Sequence, residues 1–135
     1  MWLILSDGFM SAVVDKTDPS LVQVRARRKE HLEKYFPGHE IVTYDNRDYQ
    51  FRVVVKKAEL ATVLVEYIDE MSYTNFKDSV KDPRYHDACY DVWHTMAALQ
   101  PRPPYSNYSG AAYSRRDWFG PDAGAGKTSK RGKRK

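Results

Sequence analysis

The chain has 135 residues, of which 41% are hydrophobic and 13% aromatic; this fits one domain with its own core and excludes a disordered chain. No stretch approaches the ~20 apolar residues of a membrane span, and the single cysteine, Cys89, excludes an intramolecular disulfide and fits a reducing, cytoplasmic setting. The net charge of +4 is unevenly divided: residues 100–135 hold nine Lys/Arg and two Asp, leaving 13 basic and 16 acidic residues before them, so the basic balance belongs to the C-terminal segment and residues 1–99 are mildly acidic.

The first residues lack a basic stretch and their apolar run, Trp2-Leu3-Ile4-Leu5, ends after four residues, which does not read as a signal peptide. Asp7-Gly8 supplies a hairpin turn, and small and β-branched residues resume at Phe9, so strands are predicted over 2–6 and 9–15. Residues 16–20 are a loop by composition. Residues 21–25 read two ways. Asp18-Pro19 can open a helix with proline at its first position, whereas alternation of Val22, Val24 and Ala26 gives a strand. The strand is preferred, passing into a charged helix over 27–35 with Leu32, Tyr35 and Phe36 inward, ended by Pro37-Gly38.

A second hairpin is predicted from 39–44 and 49–56, joined by the turn Asp45-Asn46-Arg47-Asp48. Residues 58–71 carry the clearest helical period: Leu60, Val63, Leu64, Tyr67, Ile68 and Met71 share one face. Ser72 reads as the N-cap of a short helix over 73–80. Asp82-Pro83 starts a last helix over 83–99, with Tyr85, Cys89, Val92, Trp93, Met96 and Leu99 on its apolar side. Early strands with interrupting and closing helices make an α+β fold: an antiparallel sheet of four to five strands with helices packed on it. The order strand–helix–strand–strand–helix matches half of a ferredoxin-like pattern. Trp2, Phe9, Tyr67, Phe76 and Trp93 are expected in or near the core. After Leu99 the prolines 101, 103 and 104, then Ser, Gly, Asn and Tyr, then six Lys/Arg within 127–135 describe a flexible linker and basic tail.

Several residues carry a family resemblance. Met1-Trp2-Leu3 with Gly8-Phe9, Val24-Arg25-Ala26-Arg27 with His31-Leu32, Tyr73-Thr74-Asn75-Phe76-Lys77, and Val92-Trp93 together resemble a family of small uncharacterised bacterial and phage proteins. The resemblance covers residues 1–99, supports a domain boundary there, and brings no activity or catalytic residue with it.

The tail is the most informative functional feature. Arg115, Arg116 and Trp118, followed by Lys127, Lys130, Arg131, Lys133, Arg134 and Lys135, combine flexible cations with rings able to stack on bases. They are the candidate contacts to nucleic acid or a nucleoprotein complex; the plainer reading is a solubilising polycation. Gly124-Ala125-Gly126-Lys127-Thr128 imitates the end of a phosphate-binding loop, but Pro121 stands where its first glycine belongs and no strand or helix flanks it. On the last helix His86 and His94 are eight residues apart, about 12 Å along the axis, too far to share a metal, and Cys89 reads as a core residue. His39, Asp48, Asn75 and Lys77 are candidates for a polar cleft if the short helix packs near the second hairpin. Arg25 and Arg27 alternate onto one side, where they extend any basic surface. With no nucleophile–base pair, metal quartet or phosphate loop at diagnostic spacing, the reading leans away from an enzyme and assigns no cofactor. It favours a nucleic-acid-binding protein without membrane insertion, with a protein–protein effector acting on a host or cellular protein through the acidic core as the alternative.

Overall fold

The structure, a computed structural model, describes residues 1–101. The tail candidates Arg115 to Lys135 lie outside the described residues. In chain order the elements are β1 (Trp2–Leu5), β2 (Gly8–Val14), β3 (Leu21–Ala26), α1 (Glu30–Glu33), β4 (Val42–Thr43), β5 (Phe51–Lys56), α2 (Lys57–Asp69), α3 (Phe76–Ser79) and α4 (Pro83–Ala97). The strands form one five-stranded antiparallel sheet in the order β1-β2-β3-β5-β4. Because β3 and β4 are each antiparallel to the β5 that lies between them, they run parallel to each other. That split β-α-β arrangement is the ferredoxin-like half expected from the sequence. The β1–β2 hairpin sits beside β3 where such a fold would place its last strand.

Alternation sorts the strand residues onto two faces. On the first, Leu5, Met10, Ala12, Val22, Val24, Ala26, Val53 and Val55 are buried with Leu32 and Phe36 from the α1 region and Leu60 from α2. Met10, Val24, Ala26 and Leu32 are fully shielded from solvent, so this is the main core. On the second face Ile4 and Phe9, a cross-strand pair, meet Val80, Tyr85 and Cys89 from the α3–α4 region. Toward β3 and β5 the second face carries Gln23, Arg25, Arg52 and Val54.

Residues 21–26 resolve as strand, paired in full with β5. Other expectations need correction. The helix over 27–35 shrinks to one α-helical turn, Glu30–Glu33, after which the Lys34 N–H bonds back to the Glu30 carbonyl and the N–H groups of Tyr35 and Phe36 to the Leu32 carbonyl. The first arm of the second hairpin keeps only Val42–Thr43 as strand. The short helix is capped by Asn75, whose side chain accepts from the Lys77 N–H at 3.1 Å, and not by Ser72. Asp82, by contrast, caps α4 as the sequence predicts, accepting from the Tyr85 N–H at 2.7 Å ahead of Pro83. Gly38 is the glycine whose backbone needs its freedom, with φ of 85° just after the α1 turn.

The apolar face of α2 is covered only in its first half. Leu60 is buried and Val63, Leu64 and Tyr67 pack on the core, but Ile68 and Met71 are half or more exposed. Among the described residues no helix is long and apolar enough to cross a membrane. The sheet, the first three helices and α4 as far as Val92 make one compact unit, Met1–Val92; a second begins at Trp93, whose ring meets that of His94 edge to face at 4.9 Å.

Candidate functional site

Two depressions flank the β1–β2 hairpin, one on each face of the sheet. The first, on the second face, is a groove of about 320 Å³ walled by Trp2, Ile4, Phe9, Tyr85, Cys89 and Val92 and edged by Arg27, Arg28 and Arg84. Trp2 is the departure from expectation. The sequence puts it in or near the core, yet it is 70% exposed, standing edge to face on Phe9 at 5.9 Å. The reason lies in register: Trp2 pairs with Ser11 at the open end of the hairpin, beyond the stretch that α4 covers. Phe9, Tyr67 and Phe76 are partly buried against their clusters as expected.

His31 and Tyr85 form the floor of the groove. The Phe9 N–H donates to His31 Nδ1 at 3.2 Å, so the neutral ring carries its proton on Nε2. The ring lies 5.5 Å from that of Tyr85 and close over Gly8, where an added Cβ would sit 3.4 Å from it. Burial is the main reason that the His31 pKa is pulled below its ordinary value. The Tyr85 hydroxyl donates to the carbonyls of Leu5 and Gly8, both at 2.9 Å, sharing one proton between the two ends of the hairpin turn. Burial pushes its pKa far up. Cys89 is buried in the same cluster and its thiol is pushed up, again by burial, which disfavours the thiolate a nucleophile would need.

The arginines continue from the groove across the sheet. Arg28 pairs with Asp82 at 3.0 Å, and this bond holds the Asp82 carboxyl below the usual range. Arg25 and Arg27 do share a side, as alternation predicts: both guanidinium carbons lie 4.8 Å from the centre of the buried Tyr49 ring. Arg25 also donates to Ser11 Oγ at 2.9 Å. Arg52 donates to Gln23 Oε1 at 3.0 Å and covers the exposed ring of Tyr44 at 5.0 Å. A mildly acidic core thus concentrates cations and aromatic rings on one face.

The second depression, about 340 Å³, opens on the side of α2. Its centre is the Tyr67 hydroxyl, which accepts from the Ser6 N–H at 2.9 Å, donates to Ser6 Oγ at 3.1 Å and lies 3.1 Å from the Tyr73 hydroxyl. With its own proton directed at Ser6, Tyr67 accepts the proton of Tyr73. Burial opposes ionisation of Tyr67, but the Ser6 and Tyr73 hydrogen bonds and the nearby Lys34 charge outweigh it and lower its pKa. Tyr73, as donor, is pushed up to about 12, and Tyr35 is pushed to about 12 mainly by burial. Asp7 receives both Lys34 and the Tyr35 hydroxyl at the rim.

The four residues expected to make a polar cleft have separate engagements. His39 Nε2 meets Glu59 at 2.5 Å. Asp48 accepts from the Tyr49 N–H, while its carbonyl accepts from Arg27. Asn75 and Lys77 come together, at the start of α3, where the Lys77 ammonium also lies 5.9 Å over the Tyr90 ring. None of the four lines either depression. Among the described residues no group of three or more His, Cys, Asp or Glu is arranged to hold a metal ion.

Sequence reasoning missed Trp2 as a surface residue, Arg84 as a partner of Arg27 and Arg28, and the Ser6–Tyr67–Tyr73 network. A signal existed for the first. Every residue of β1 is apolar, so alternation alone says that both faces of this strand meet apolar neighbours or remain open. Comparison of the chain with family models, with curated proteins and with solved structures yields no match in any of the three.

Proposed function

We propose that this is a non-enzymatic binding protein that holds single-stranded nucleic acid on the second sheet face, anchored in the arginine-edged groove. The observation that carries the reading is Trp2: a large ring, 70% exposed, braced by Phe9 and standing beside Arg27, Arg28 and Arg84. An exposed, braced ring is a platform for an unpaired base, and stacking is worth about 1–3 kcal/mol per base. Guanidinium groups at the edge supply phosphate contacts and stack in their own right. The face continues through Arg25 and Arg52 to Tyr44, so cations and rings alternate across five strands, roughly 20 Å of surface at strand spacing. The tail residues Arg115, Arg116, Trp118 and Lys127 to Lys135 add electrostatic capture from the same chain.

The test is fluorescence anisotropy of labelled, mixed-sequence oligonucleotides against the full chain, at low and physiological salt. Trp2→Ala is expected to weaken single-strand binding about tenfold or more, with little effect on folding. Replacing the six Lys/Arg of 127–135 by glutamine should remove up to about four units of log–log salt slope. Undiminished binding by Trp2→Ala, or equal affinity for duplex, would sink the groove reading.

One observation favours the other reading, a protein partner on the acidic core. Val65, Ile68 and Met71 of the α2 region are exposed among Glu66, Asp69 and Glu70, an apolar strip edged by acids. Capture of a single protein partner from nuclease-treated lysate, lost on Ile68→Glu, would support it.

A further inference from the structure

We infer that the tyrosine-walled depression beside α2 is a binding site for a methylated ammonium group. Its walls bring together what such a cation needs. Tyr35 and Tyr67 stand with ring centres 6.3 Å apart at 64°, giving two steeply inclined aromatic surfaces, and Tyr73 is tied to them through its hydroxyl contact with Tyr67. A cation gains about 0.5–2 kcal/mol from each well-placed ring face. Val63 and Met71 complete the lining with apolar, polarizable surface suited to methyl groups.

Charge points the same way. Glu66 of α2 and Glu70 at its C-cap, one turn apart, line the depression and form no ion pair among the described residues. Lys34, the cation of the wall among the described residues, is already held by Asp7 and lies 5.5 Å over the Tyr35 ring. The described residues therefore show an ammonium on one of these rings and leave two carboxylates without a counter-charge among them. A primary ammonium is strongly hydrated and gains little from exposed carboxylates. A methylated one is poorly hydrated, makes contact through its methyl groups, and takes most of its affinity from the ring faces. At about 340 Å³ the space is at the small end of ligand sites, which suits a headgroup. The site is on the opposite sheet face from Trp2 and does not depend on the nucleic-acid reading.

The experiment is an NMR titration of the full chain, following the tyrosine ring resonances, with choline against ethanolamine, which has the same skeleton without the methyl groups, and against sodium chloride at matched ionic strength. Choline is expected to shift the rings of Tyr35, Tyr67 and Tyr73 saturably, about tenfold more tightly than ethanolamine. The double variant Glu66→Gln, Glu70→Gln, on exposed positions that leave the fold intact, should weaken choline severalfold, while Trp2→Ala leaves it unchanged. Equal response to choline and ethanolamine, or no loss in the double glutamine variant, would overturn the inference. A trimethyl-lysine peptide binding more tightly than choline identifies the source as a protein side chain; tighter binding of choline identifies a free small cation.

Discussion

The two depressions are built from opposite sides of one hairpin and have opposite character. The groove takes Trp2, Ile4 and Phe9, is almost wholly apolar inside, and has arginines at its edge. The tyrosine site takes Ser6 and Asp7, is webbed by hydroxyl hydrogen bonds, and carries the Glu66 and Glu70 carboxylates, without an ion-pair partner among the described residues. Net charge would predict neither. The sheet acts as a partition that lets a chain of nearly balanced core charge present a cationic surface on one side and an anionic one on the other. Period-two alternation is the cause: one step along β1 or β2 moves a side chain from one electrostatic environment to the other.

The segment that serves both sides is α1 together with the residues just past its end. His31 lines the groove, Lys34 and Tyr35 line the tyrosine site, and Leu32 fills the core between them with no exposed surface. Leu32→Ala should therefore cost about 2–5 kcal/mol in urea unfolding and loosen both sites together. If only one site responds, the two are less coupled than their common segment implies.

Tyr85→Phe separates them. It removes the hydrogen bonds from the Tyr85 hydroxyl to the Leu5 and Gly8 carbonyls, at an expected cost of about 1–3 kcal/mol, and should disturb the His31 ring while leaving the tyrosine resonances of the other site in place. Equal disturbance of both sites would show the partition to be leaky.

The smallest effects are in pH. His31 is held neutral, with its pKa lowered by burial. The unfolded chain thus takes up its proton first, so this stabilising contribution is complete above about pH 6.5 and declines as pH falls below it. His31→Gln should flatten that acid limb. Tyr35 and Tyr73, raised to about 12, act in the other direction: their contribution is intact below about pH 10 and is lost as pH rises through 12. Thermal unfolding across both limits would assign the acid limb to the groove, whereas the alkaline limb draws on both sites, because burial also pushes the groove's Tyr85 far up. Loss of the acid limb in Tyr73→Phe would contradict that assignment.

Much of this architecture is legible in the sequence where local and tertiary preferences agree. The alternation through Val22, Val24 and Ala26 and the first half of the α2 period persist because their apolar positions are the ones buried, and the Asp82-Pro83 cap persists because its hydrogen bond is local. The reading fails where an element is shared. The α1 region places His31 in the groove, Leu32 in the core and, just past the turn, Lys34 and Tyr35 in the tyrosine site, and the short helix takes its cap from Asn75, not Ser72, after Tyr73 has met the Tyr67 hydroxyl. The placement of Arg25 and Arg27 was readable from alternation; their common focus on Tyr49 was not, since Tyr49 precedes β5 and reaches them only through the pairing of β3 with β5. The groove is assembled from three separated segments, and the tyrosine site from as many, which no local spacing records.

The Tyr85 hydroxyl also sets an order of events. It joins residues 80 and 77 positions apart in the chain, and long-range closures of that kind come late in folding. During synthesis the first hairpin emerges well before residue 85 and must wait with its turn carbonyls hydrated and the Ile4–Phe9 pair uncovered. A nascent chain stalled before α4 would display that apolar pair to whatever folding factor is near, and arrival of the last helix is the step that withdraws it from view.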